Sequence, residues 1–92
     1  MKYKAELVKL ETKISKAIDR DLKENGGAQV GALNAQLGII RWAFNAKSID
    51  FAIAICKQDI ERIFRYTFEA EQKIEALESL LNKLVEIKTL TK

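Results

Sequence analysis

Residues 62–72 read RIFRYTFEAEQ, and whether one helix runs through them decides the fold. Before this stretch, Ile53, Cys56, Ile60 and Ile63 recur at every third or fourth residue. After it, Ala70, Ile74, Leu77, Leu81 and Leu84 keep the same spacing, with Thr67 in phase between the two runs. A heptad pattern held for about 30 residues reads as one long, coiled-coil-like helix. Its first half has a wide apolar face that includes Phe51, Ile55, Phe64 and Phe68, suited to burial under other helices. Its second half narrows to a seam of Ile74, Leu77, Leu81 and Leu84. An unbroken helix of about 40 residues approaches 60 Å, twice the roughly 30 Å of the first helix of the chain. We therefore expect the long helix to protrude and pair with a second copy, making a homodimer through that seam. The alternative is a bend near Thr67 to Glu71 that folds the helix back as a fourth.

Working towards the N-terminus, Ser48 is placed to cap this third block, with Asp50 favouring its positive end. The second block, Ala28 to about Ala46, is apolar on most sides, with only Asn34, Arg41 and Asn45 as a polar edge, so it belongs in the middle of a bundle. The first block carries Tyr3, Leu7, Leu10, Ile14, Ala17, Ile18 and Leu22 as one stripe. It stops at Asn25-Gly26-Gly27, where glycine can take the left-handed conformation that closes a helix. The fold expected is all-α: a single domain over residues 1–92, with three helices, or four if the last one bends.

Composition agrees and narrows the function. The 92 residues contain no proline and no histidine, one cysteine, and a net charge of +3. A lone Cys56 cannot form an internal disulfide, which favours a cytoplasmic setting. The longest apolar run, Phe51 to Cys56, is far short of the roughly 20 residues of a membrane span, and no apolar leader is visible at the N-terminus. Without histidine, neither a Cys/His nucleophile nor a zinc site of usual type can form. The acids lie outside the apolar stripes, so a carboxylate-bridged metal centre is not expected either. No catalytic residue, metal or cofactor is assigned.

Three features could carry binding. Within AQVGALNAQLGIIR, residues 28–41, a seven-residue phrase is repeated with Gly31 and Gly38 in the same place. If the glycines admit a neighbouring backbone, alanine at either costs stability. If Leu37-Gly38-Ile39 is the turn of a helix-turn-helix, residues 30–47 form a DNA-reading unit. Close packing explains more residues. Second, Lys9, Lys13, Lys16, Arg20 and Lys23 fall at spacings of four, three, four and three, a basic stripe about 21 Å long. Third, Arg62, Arg65 and Tyr66 are interleaved with Phe64 and Phe68, which we read as core. The function expected is a non-catalytic protein–protein interaction module: a small regulator, inhibitor or assembly factor of a size that suits a phage or plasmid gene. Its partners are itself and an acidic protein surface, met by the basic stripe with Arg41 and Trp42. The alternative is a DNA-binding regulator that uses the helix-turn-helix and a C-terminal dimerisation helix.

Overall fold

Four helices follow one another in the computed structural model, which describes residues 3–63 and 68–90. They are α1 (Lys4–Glu24), α2 (Val30–Ala46), α3 (Ile49–Arg62) and α4 (Phe68–Leu90). The long third helix is thus two. At Ile63 the backbone turns to φ −79° and ψ 125°, extended values that end α3, and α4 packs back against α2 and α3. Phe64, Arg65, Tyr66 and Thr67 lie outside the described residues. The 3-and-4 spacing could not reveal the break, because two short helices in one bundle bury the same periodic face as one long helix does in a dimer. Folding back keeps the partner helix on the same chain, at a far higher effective concentration than a second copy offers.

α2 is the hub and touches each of the other helices. Its Leu37, Ile39, Ile40 and Ala43 are buried with Leu7 and Ile14 of α1, Ile49, Ala52 and Cys56 of α3, and Leu77, Leu80 and Leu84 of α4. The Gln36 amide adds a polar tie, donating to the Ala76 carbonyl at 2.8 Å. Three residues read as core are not. Leu22 is exposed, Phe68 strongly so, and Phe51 lies half out of the core with its ring 5.9 Å from that of Trp42.

The turns are built by side chains as much as by glycine. Gly26 and Gly27 take φ of +65° and +85°, as a stop signal requires. Asp21, although charged, is buried one turn before them. Its carboxylate accepts from the Gln29 amide N–H at 2.8 Å, at the mouth of α2, and from the Asn25 side chain at 3.1 Å. The positive end of α2 and two donors thus offset the burial of this charge. Asp21→Ala should cost about 1 to 3 kcal/mol, because the Gln29 N–H loses its acceptor while the loop must still turn. A urea midpoint unchanged by the substitution would rule out this role. At the next turn Lys47 adopts the left-handed conformation and Ser48 caps α3, accepting from the Phe51 N–H at 3.1 Å. The Tyr3 hydroxyl secures that turn to α1: it accepts from the Ile49 N–H at 2.8 Å and donates to the Lys47 carbonyl at 3.2 Å.

Both expectations for the repeated phrase need correction. Gly38 lies inside unbroken α2 without a positive φ, so residues 30–47 contain no helix-turn-helix turn. No neighbour approaches closely either: a methyl group on Gly38 would meet nothing within 4 Å, and one on Gly31 only the end of the Lys73 side chain at 3.7 Å. Gly38 faces open space and Gly31 meets only an ordinary contact with a flexible side chain, so the predicted cost of alanine changes sign. Gly31→Ala and Gly38→Ala should each stabilise by about 1 kcal/mol through helix propensity and reduced freedom of the unfolded chain. Together they should raise Tm by roughly 10 °C in a domain of this size. A melt that falls in the double variant would restore the close-packing reading.

Candidate interaction surface

α1 packs on α2, whereas between α1 and α4 the bundle stays open. The result is a furrow. Its central cleft, about 190 Å³, is floored by Leu10, Ile14, Ala17, Leu33 and Leu80 and edged by Lys13 and Lys83. A second cleft of about 200 Å³ continues it between Glu6, Lys9 and Lys13 on one side and Lys83, Glu86 and Leu90 on the other. In the opposite direction it opens into a wider, more polar hollow of about 350 Å³ between α2 and α4, where Gln29, Gln36, Gln72 and Glu75 meet.

All five residues of the basic stripe, Lys9, Lys13, Lys16, Arg20 and Lys23, are exposed on α1. Lys9 and Lys13 form the lip of the furrow, and helical spacing carries the other three along the same side. Lys9 is 3.4 Å from Glu6. Lys13, Lys16, Arg20 and Lys23 make no ion pair among the described residues. The stripe is therefore a row of exposed cations of which only Lys9 is in an ion pair among the described residues, on a helix that also carries Glu6, Glu11, Asp19, Asp21 and Glu24.

Arg41 and Trp42 are also exposed, but on α2, and neither lines the furrow; Trp42 leans on Phe51 of α3 instead. The structure does not join them to the stripe. The expected dimer seam is corrected too. Ile74, Leu77 and Leu84 are buried in the core of their own chain, and Leu81 is half-buried against it. They hold α4 to the bundle.

Sequence reasoning missed Lys83, which α4 brings to the furrow opposite Lys13. It also missed the outer face of α4, where Glu71, Glu75 and Glu78 stand around Ile74. Glu75 belongs both to this acidic face and to the hollow between α2 and α4, whereas Glu71 and Glu78 line neither that hollow nor the furrow.

Cys56 is buried, and its thiol donates to the Leu77 carbonyl at 3.2 Å. Burial, and secondarily the Asp59 carboxylate, push its pKa up to about 11. A thiol so placed is a poor nucleophile. Among the described residues no group of three or more acids and cysteines could hold a metal ion. No helix is long and apolar enough to cross a membrane, again among the described residues. No known family model matches the chain, and no curated protein or solved structure matches it.

Proposed function

We propose that this chain is a non-catalytic protein–protein interaction module, a small regulator, inhibitor or assembly factor that binds through the basic side of α1 and the adjoining furrow. The observation that carries this reading is the row of exposed cations, with Lys13, Lys16, Arg20 and Lys23 in no ion pair among the described residues, beside an apolar-floored cleft. Lys13, Lys16, Arg20 and Lys23 provide a long-range field that speeds encounter with an acidic surface. The floor of Leu10, Ile14 and Leu80 offers apolar contact once the partner arrives. The sealed thiol of Cys56 and the solvated state of most of the acids support a binding role over a chemical one.

The triple variant Lys13→Glu, Lys16→Glu, Arg20→Glu tests it. These side chains make no core contacts, so the fold should survive with a change of about 1 kcal/mol or less. Partners captured by cross-linking in native lysate should be lost, with the wild-type yield falling as salt rises. Nuclease treatment should leave the wild-type capture intact; capture abolished by nuclease would point to nucleic acid. Capture that is equal in the wild type and the variant would overturn the assignment to this face.

A further inference from the structure

We propose that Asn25-Gly26 is a modification site built into the first turn: the Asn25 side chain converts spontaneously to aspartate or isoaspartate, and the new carboxylate, set against Asp21, loosens the junction of α1 and α2. The site is independent of the binding face.

The chain has four asparagines, and the structure separates one of them from the rest. Asn34 and Asn45 lie inside α2 and Asn82 inside α4, each followed by a residue with a Cβ and held in helical backbone. Asn25 stands exposed beyond the end of α1, and the residue after it is glycine. Gly26 is exposed too, takes φ +65°, and has nothing within 4 Å of where a methyl group would lie. Its N–H makes no hydrogen bond among the described residues. An uncrowded, unbonded amide nitrogen thus follows a thermolabile side chain.

The reaction needs only these atoms and water. The Gly26 nitrogen gives its proton to solvent base and attacks Asn25 Cγ; the N–Cγ bond forms, the Cγ–Nδ2 bond breaks, and the side-chain nitrogen takes a proton from water and leaves as ammonia. Water then opens the five-membered imide. Opening at the side-chain carbonyl yields aspartate, and opening at the main-chain carbonyl yields isoaspartate, in which the backbone runs through Cβ and Cγ.

Asp21 holds the reaction back. At ψ 10° the Gly26 nitrogen is turned away from the Asn25 side chain, so the ring closes only after the Cα–C bond of Asn25 rotates. The Asp21 carboxylate accepts from the Asn25 side-chain amide at 3.1 Å, and its carbonyl accepts from the N–H groups of Asn25 at 2.8 Å and Gly27 at 3.1 Å. All three bonds resist the rotation. The product undoes the same turn. Where Asn25 donated, a carboxylate faces that of Asp21, which is 5% exposed and already accepts from the Gln29 N–H. The partial positive charge at the mouth of α2 suits one carboxylate, not two. Isoaspartate also lengthens the backbone between the two N–H groups that share the Asp21 carbonyl.

Ageing the whole chain at mildly alkaline pH tests the proposal. Intact-mass measurement and peptide mapping should show the amide lost at residue 25 alone, with Asn34, Asn45 and Asn82 unchanged and the rate rising with pH. The aged protein, and Asn25→Asp made directly, should melt roughly 4 to 8 °C below the fresh wild type. Asn25→Gln, whose longer side chain must close a less favourable six-membered ring, should hold its melting temperature through the same ageing. Asp21→Ala should speed conversion severalfold, whereas Leu81→Lys, comparably destabilised but on α4, should not, because the gate is local opening of the turn and not global unfolding. Residue 25 left unmodified in the folded protein, when urea-denatured chain aged alongside has converted, overturns the proposal. So do equal rates in Asp21→Ala and Leu81→Lys, or an Asn25→Asp variant that melts with the wild type. Should Asp21→Ala fail to fold, the aged wild type and Asn25→Asp still decide the question.

Discussion

Leu77→Lys is expected to unfold the protein outright. Leu77 is 1% exposed and sits where α4 meets α3, with the Cys56 thiol bonded to its own carbonyl. An ammonium placed there would be buried without a partner, a cost of several kcal/mol, on top of the 2 to 5 kcal/mol lost when a buried leucine is removed. A domain of this size has only about 5 to 14 kcal/mol of total stability, so most or all of it disappears. Leu81→Lys should differ. Leu81 is only half-buried, and a lysine there can extend its stem along the core while its head reaches water, so the loss should be about 1 to 2 kcal/mol. Thermal melts followed by circular dichroism separate the two. If these leucines instead formed a seam between chains, both substitutions would leave helical content intact and halve the mass. Retention of a native-like melt by Leu77→Lys would mean that α4 does not fold back.

Leu77 also shows how far the fold could be read from the sequence. Its place on an inward stripe was legible, because a 3-and-4 spacing marks a buried face whatever that face is buried against. The identity of the covering surface was not legible, because the same stripe serves an intrachain bundle and an interchain coiled coil. The helix stop at Gly26-Gly27, the cap at Ser48 and the central position of α2 were readable from local chemistry. Asp21 had a signal that passed unused: it continues the seven-residue spacing of Leu7 and Ile14, so a carboxylate stood in phase with the core. Gly31 and Gly38 misled, since a glycine in a helix invites a packing explanation, and here no backbone approaches either of them.

The candidate surface was half legible. Lys9 through Lys23 could be found because they share one helix and helical spacing fixes their common face. Lys83 and the furrow could not, because they arise only when α4 is laid beside α1, and Lys13 and Lys83 stand 70 residues apart in sequence. Arg41 and Trp42 were expected to bind the same partner, and the structure keeps them on another helix, away from the furrow.

The thiol of Cys56 should make stability depend on pH on the alkaline side. Its folded pKa is pushed up to about 11 from an ordinary value of 9.0, first by burial and then by the nearby Asp59 carboxylate. The unfolded chain therefore releases the proton first. Below about pH 9 both states hold it and the full contribution is present; between 9 and 11 ionisation favours the unfolded state. Stability then falls by about 2 to 3 kcal/mol across that window, on the scale of about 1.4 kcal/mol per pKa unit. Lysines and tyrosines titrate in the same range, so the comparison that isolates the effect is Cys56→Ala. At pH 7 the variant should be less stable, having lost sulfur packing and the bond to the Leu77 carbonyl, and the two urea midpoints should converge as pH rises towards 11. The same burial should make the thiol slow to react. Near neutral pH its thiolate fraction is about 100-fold lower than that of a free cysteine. A reagent must also wait for α3 and α4 to separate, so labelling should run at least about 1,000-fold slower than in the denatured chain and track global unfolding. Labelling at a rate near that of the denatured chain, or parallel pH profiles for the wild type and Cys56→Ala, would show that the α3–α4 interface opens easily and does not seal the thiol.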